Sequence, residues 1–555
     1  MKEQSKSFTT KSTAKLFLSG VVILTIANVL VKSVGLISKI ALNRVVGSIG
    51  AGYYSSAYEI YAFLHIISNA GLPVALSIMV SRSRAKGRFK EARKIFNISL
   101  ITFLIIGTVF AVSLVFLSGN MANLISSPKT MLAIITISPT ILFVCLSSCF
   151  RGYFQGHQMM NQTAISQFIE ACCKVLVGVG FALWARAQGY EDHVVAAFTI
   201  LGVTIGVFLG MVYLYIKKLF FKEKELNSQY LQEINLKNGF CVFEDEECKS
   251  TKQLIKELLT IAVPITISST VLSLTVIIDT FMVQGRLLAY GMEETLVRVY
   301  YGDYTSLVMS MTNLPTVLFY PIASALVPLI SSAIETGDYE ASEKMRALSL
   351  RVINIIAIPC AIGLAVFSYP VLELLMFKQD SVDRAAPWLS IAAISVIFLG
   401  LLAATNTFLN TSGLQRLPII SMLVGAAAKL ISNYFLVGYF GIYGAPISTI
   451  ICYLCASIMN IFFTVKYVGK LPCIKRSVFY PFLCSFVSIG MAGLLYCGLS
   501  AIMYSRVATV LCIIVAVISY LFLVFKTQTV DREDVLMLPG GEKIVKCLNK
   551  IKFLS

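Results

Sequence analysis

The stretch 52–100 reads GYYSSAYEIYAFLHIISNAGLPVALSIMVSRSRAKGRFKEARKIFNISL, and it aligns without a gap to 302–350, GDYTSLVMSMTNLPTVLFYPIASALVPLISSAIETGDYEASEKMRALSL. Gly52, Tyr54, Ser56, Leu64, Ala75, Leu76, Ser81, Gly87, Lys94, Ser99 and Leu100 meet Gly302, Tyr304, Ser306, Leu314, Ala325, Leu326, Ser331, Gly337, Lys344, Ser349 and Leu350. Conservative pairs such as Ser55 with Thr305 and Phe89 with Tyr339 extend the match. A weaker one sets the Phe150–Gly156 turn against Thr407–Gly413. Each copy holds an apolar run of bilayer length followed by a charged loop. The pattern predicts an all-α polytopic membrane protein built from two parallel repeats.

Composition agrees. Of 555 residues, 57% are hydrophobic and 14% charged, against about 45–50% and about 25% in a soluble domain. The balance excludes a disordered chain, a disulfide scaffold and an ordinary cytosolic enzyme. A hydrocarbon core about 30 Å thick needs about 20 apolar residues per helix. Runs that meet this test lie at 16–42, 53–81, 94–118, 130–152, 163–186, 194–216, 254–284, 300–331, 346–368, 386–412, 418–438, 444–466, 478–500 and 506–526, about fourteen spans. The expected layout is an N-lobe of six spans (1–216), a cytoplasmic linker (217–253), a C-lobe of six spans (254–466), two extra spans (467–526) and a cytoplasmic tail (527–555). The first span is too long for a cleaved signal peptide and carries Lys32 and Lys39 inside it.

The net charge of +17, from 46 Lys and Arg against 29 Asp and Glu, is explained by topology rather than by nucleic acid. With both termini in the cytoplasm, only Arg44, Lys129, Arg186, Arg286, Arg298, Lys378, Arg384 and Arg506 fall in outer loops. The loop after the second span carries Arg82, Arg84, Lys86, Arg88, Lys90, Arg93 and Lys94, as inner loops do. Most of the 14 cysteines sit in apolar runs and act as small hydrophobes. Cys452 and Cys455 have CxxC spacing but no second ligand pair. No metal and no cofactor is expected.

Charges inside spans carry the functional signal, because an ionised residue at the bilayer centre costs about 2.5–3.5 kcal/mol on insertion scales and faces protein or water. Lys32, Lys174 and Lys429 lie near span centres, and Lys174 and Lys429 occupy counterpart spans of the two repeats. Asn28, Lys32, Gly35 and Lys39 share one helical face. These residues, with Asn433 one turn from Lys429, predict a cationic cavity. Two alternatives stand beside this reading: Lys39 snorkels to the interface, and Lys174 pairs with Glu170 one turn earlier. Glu59, His65, Glu170 and Asp279 are the candidate coupling or cavity residues.

The stretches NVLVKSVGLISKIAL at 28–42, GAGYYSSAYEIYAFL at 50–64 and NAGLPVALSIMVS at 69–81 resemble the stage V sporulation protein B group. That group lies in the polysaccharide branch of the multidrug/oligosaccharidyl-lipid/polysaccharide exporter superfamily, beside the MurJ-type lipid II flippases. The resemblance implies inner-to-outer movement of an undecaprenyl-pyrophosphate-linked saccharide, lipid II foremost, in a bacterial plasma membrane. It implies a cation in the first span just before a glycine, which matches Lys32 before Gly35. MurJ-type proteins carry arginines near the middle of the second span, where this chain has His65, Ile66 and Ile67.

The partners expected are a polyprenyl-pyrophosphate-linked glycan, membrane lipids and envelope-synthesis machinery, with no nucleic acid. Two other readings compete: a cation- or proton-coupled multidrug exporter, and a membrane enzyme of envelope polysaccharide assembly. The first would prefer a carboxylate-lined cavity. The second needs a catalytic loop, and the outer loops hold no convergent acid/base or nucleophile set. The chain is expected not to be an enzyme.

Overall fold

The computed structural model describes residues 2–85, 88–157, 159–221, 249–335, 339–375, 379–469 and 475–529. The linker core 222–248 and the tail 530–555 lie outside the described residues. Two compact units divide the chain, Met1–Phe281 and Met282–Ser555. The division falls inside a helix, some way beyond the start of the expected C-lobe at 254.

Unit 1 holds α1 (Lys2–Ala85), α2 (Phe89–Leu124), α3 (Met131–Gly156), α4 (Met160–Ala187), α5 (Asp192–Leu219) and the first three-quarters of α6 (Thr251–Ala289). Long apolar side chains such as Phe116 and Leu176 point outward, as helices in a lipid solvent require. The interior mixes small side chains such as Ala133 and Ala185 with aromatic ones such as Phe103, Tyr153 and Phe154. The first two expected spans form one element that breaks at Gly47 (φ 75°, ψ 173°), a conformation only glycine adopts cheaply. The break leaves carbonyls without helical partners. Arg186, from the last turn of α4, donates from Nε to Val45 O (3.2 Å) and from Nη2 to Val46 O (2.5 Å), and pairs with Asp192 at 2.6 Å. Nearby, Lys129 hydrogen-bonds Glu191 at 3.1 Å and holds that carboxyl below its usual range.

Glycines set how closely these helices pack. A Cβ at Gly202 of α5 would lie 2.3 Å from the backbone of Gly178 in α4, and one at Gly206 2.8 Å from Glu170 O. The α5 stripe therefore seats α4 backbone to backbone over residues 170–178. A Cβ at Gly152 would lie 2.6 Å from Pro73 O of α1, and one at Gly156 2.9 Å from Val80. The expected turn at 150–156 is instead the end of helix α3. Its glycines make close packing, and the chain turns after Gly156.

Unit 2 takes the rest of α6, then α7 (Glu294–Asp303), a five-residue π segment (Tyr304–Val308), α8 (Met309–Glu335), α9 (Tyr339–Val366), α10 (Ser368–Leu374), α11 (Gln379–Ala393) and α12 (Ser395–Thr411). It continues with α13 (Arg416–Phe440), α14 (Gly444–Tyr467), α15 (Tyr480–Leu499) and α16 (Ser505–Lys526). Gly441 (φ 59°) turns α13 back on α14. Arg384, expected as an outer-loop charge, reaches inward: its Nε and Nη2 lie 2.9 and 2.7 Å from Oδ2 of fully buried Asp303. Among the described residues, ten runs are long and apolar enough to cross a membrane. One of them, 52 residues long, contains both α13 and α14. The fold is all-α and polytopic.

Gly202→Ala is expected to lower the midpoint of thermal unfolding in detergent by the equivalent of about 1–3 kcal/mol, because backbone cannot yield as a side chain does. Gly180→Ala, whose Cβ would meet nothing within 4 Å, is expected to leave it unchanged.

Candidate functional site

The candidate site lies within unit 1, where α1, α3 and α4 pack on one another. Residues three and four apart share a helix face, and α1 uses this to stack Tyr54, Tyr58, Tyr61 and His65. Successive ring centroids are 5.6, 5.7 and 5.6 Å apart, the first pair nearly parallel at 10°. Helix α4 repeats the spacing with Ser166, Glu170 and Lys174. Helix α3 contributes Arg151 from its next-to-last turn.

Arg151 is 4% exposed at its side chain and spans one turn of α4. Its Nη2 lies 2.7 Å from Glu170 Oε2, and its Nε donates to Ser166 Oγ at 3.1 Å. Charge-assisted bonds of this kind are about twice as strong as neutral ones, and the fixed guanidinium fork matches two acceptors a turn apart. Lys174, half-buried, turns instead to α1. Its Nζ sits 4.0 Å from the Tyr58 ring centroid, on the stack that Tyr58 makes with Tyr54. Ring faces and hydroxyls solvate an ammonium without cancelling its charge. Among the described residues no carboxylate lies within ion-pair distance of Lys174. The pairing of Glu170 with Lys174, one of two alternatives from spacing, therefore gives way to Glu170 with Arg151, because a preorganised partner on another helix outcompetes the flexible neighbour.

The other candidates are placed as follows. The side chains of Asn28, Lys32 and Lys39 lie outside the described residues. Glu59 and His65 are partly buried on α1, and Asp279 on α6 is 3% exposed and partnered. In unit 2, Lys429 and Asn433 are fully buried between α13 and α14. Lys429 donates to Thr449 Oγ1 at 3.0 Å, and Asn433 accepts from Ser448. In this conformation neither is open to solvent. The structure thus brings Glu170, Lys174 and the His65 ladder together, and keeps Lys429 with Asn433 in a separate unit.

Sequence reasoning missed Arg151 because it stands close to the end of its expected span, 130–152, where basic residues are ordinary. The signal was its being carried on a helix that continues past it. It also missed Lys218, whose ammonium donates to the Tyr153 hydroxyl at 2.6 Å beside the rings of Phe96 and Phe221.

Long apolar helices, an internal duplication and intramembrane cations define a multi-pass membrane transporter. The chain belongs to the polysaccharide biosynthesis protein family, which it matches over residues 17–334, and so to the multidrug/oligosaccharidyl-lipid/polysaccharide exporter superfamily. Residues 304–435 also match the MatE family. The chain is 26% identical to stage V sporulation protein B of Bacillus subtilis over 418 residues, covering 74% of this chain and 76% of that one. It is 24% identical to the lipid II flippase MurJ of the same organism over 464 residues, covering 81% and 82%. A solved structure of lipid II flippase MurJ in an inward closed conformation superposes with a TM-score of 0.66 at 15% identity, covering 90% of this chain and 98% of that one.

Tyr58→Leu removes the ring face beneath Lys174 and is expected to cost about 0.5–2 kcal/mol of stability, while Tyr58→Phe keeps most of it. Melting curves of the purified variants check this.

Proposed function

We propose that the chain is a flippase that carries an undecaprenyl-pyrophosphate-linked saccharide, lipid II foremost, from the inner to the outer leaflet of the bacterial plasma membrane. It is a carrier and not an enzyme. The observation that supports this most is Lys174, a cation inside a span, held on tyrosine rings with no carboxylate of its own. A pyrophosphate is a compact, strongly charged anion. An ammonium on a flexible stem neutralises it without demanding bidentate geometry, and so also lets it go. The 24% identity to a protein named as a lipid II flippase supports the same reading.

In this reading the two repeat lobes alternate in exposing the site, the sugar–peptide headgroup travels in water, and the isoprenoid tail stays in lipid. Lys32, Lys39 and Asn28 extend the cationic face from the first span, and Lys429 with Asn433 supplies the counterpart in the C-lobe once a change of conformation uncovers it. Both termini lie in the cytoplasm, where the basic loops belong. Envelope-synthesis enzymes are the partners that would supply and remove the cargo.

A second reading, export of organic cations, is favoured by the MatE match over 304–435. Against it, one candidate carboxylate, Glu170, already holds Arg151, and the ladder's Tyr58 ring face already carries the Lys174 ammonium.

The test uses purified protein in liposomes and follows labelled lipid II between leaflets. Wild type is expected to speed its movement. Lys174→Gln is expected to slow it about tenfold or more, the size of a lost charge-assisted contact, and the Lys174→Gln/Lys429→Gln double variant to slow it further. Wild-type rates in both variants would remove the lysines from the site. Transport of ethidium but not of lipid II would establish the exporter instead.

A further inference from the structure

We infer that Arg151 is a positioning residue: by holding Glu170 on the flank of α4 it leaves the Lys174 ammonium free to meet an anionic headgroup. The inference rests on the flippase reading. It concerns a residue that binds no substrate itself.

Glu170 and Lys174 are four apart on one helix with the acid first, the arrangement in which a carboxylate and an ammonium pair most readily. Left alone, the two would neutralise each other, and an incoming pyrophosphate would have to displace the carboxylate. The fold prevents this from a neighbouring helix. Arg151 bonds Ser166 through Nε and Glu170 through Nη2, so the carboxylate is drawn one turn away from Lys174 along α4. With Arg151 buried to 4% exposure and Glu170 at 21%, the pair is shielded and persistent. Ser166 is itself held, donating to Thr163 O at 2.8 Å. Beneath these residues the glycine stripe of α5 seats the α4 backbone, with Gly206 against Glu170 O and Gly210 against Ser166 O. Neither acceptor can therefore slide away from the guanidinium. On the opposite side the Tyr58 ring, stacked on Tyr54, receives Lys174. Arg151 and Glu170 are thereby closed into a pair and Lys174 is left available; Glu59, the carboxylate on this part of α1, makes no ion pair with Lys174 among the described residues. Tyr61 and His65 stand near enough to Glu170 to feel its charge. They belong to the same ladder.

At the matching positions the C-lobe sequence differs. The weak repeat match sets Phe408 opposite Arg151, and Gly425 stands one turn before Lys429, where α4 has Glu170 before Lys174. No glutamate therefore precedes Lys429 by one turn on its own helix.

The test reads Lys174 directly. Purified full-length protein in detergent is acylated with limiting acetic anhydride, and the modification of Lys174 is followed by mass spectrometry relative to exposed Lys129. Arg151→Gln frees Glu170 to engage Lys174, and is expected to slow Lys174 acylation several-fold. Arg151→Gln/Glu170→Gln removes both and is expected to return it to the wild-type rate. Binding of undecaprenyl pyrophosphate, measured in parallel, is expected to weaken about tenfold in the single variant and to recover to within about threefold in the double. Arg151→Lys keeps the charge without the fork, is expected to fall between, and carries the test if Arg151→Gln does not fold.

Unchanged Lys174 reactivity in Arg151→Gln would overturn the inference. So would a double variant that stays weak, since Arg151 would then act as a ligand or as packing. If wild type binds no undecaprenyl pyrophosphate while acylation follows the expected pattern, the flippase reading falls and the separation of Glu170 from Lys174 stands.

Discussion

A charge taken out of water must be met by an opposite charge, by hydroxyls or by the face of a ring, or the helix that carries it does not stay in an apolar surround. The chain answers this demand differently at each buried cation. Arg151 takes a carboxylate and a serine, Lys174 takes tyrosine rings, Lys429 a threonine, and Lys218 a tyrosine hydroxyl between aromatic rings. Arg384 meets an aspartate with no exposure at all. The choice of partner decides what the cation can do. A cation given a carboxylate is spent on structure, whereas one given a ring keeps its field and remains able to attract an anion.

The close seating of the helices makes these partners dependable. Hydroxyls and rings are weak solvents for charge and work only at contact distance, so the helix bearing the charge must not drift. Backbone-to-backbone packing of α4 on the glycines of α5 provides that, and Gly152 and Gly156 do the same for α3 against α1. Small residues at helix contacts are how membrane proteins obtain close approach where burial of apolar surface gives no drive between helices.

Much of the fold was legible because its signals are local and long. Runs of twenty apolar residues, basic loops and an ungapped repeat need no tertiary information, and the spans at 163–186 and 194–216 coincide with α4 and α5 within a few residues. Lys174 was legible for the same reason, a lone charge in an apolar run. The partner of Glu170 was not, since spacing along one helix offers Lys174 and is blind to Arg151 on another. The same blindness hid Asp303 and Arg384, which lie far apart in sequence. The break at Gly47 and the π segment at Tyr304–Val308 escaped because a single glycine or one extra residue per turn leaves hydrophobic periodicity almost untouched.

Arg186 gives the break at Gly47 a mechanical meaning. The segment before the break ends on the carbonyls of Val45 and Val46, and those carbonyls are tied to the last turn of α4. The hinge is thus stapled to the helix that carries Glu170 and Lys174. A swing of the leading segment about Gly47 would have to strip the guanidinium from its carbonyls or pull α4 along with it. In the second case the first span becomes a lever, and a movement at one end of the chain is felt at the ammonium that α4 carries.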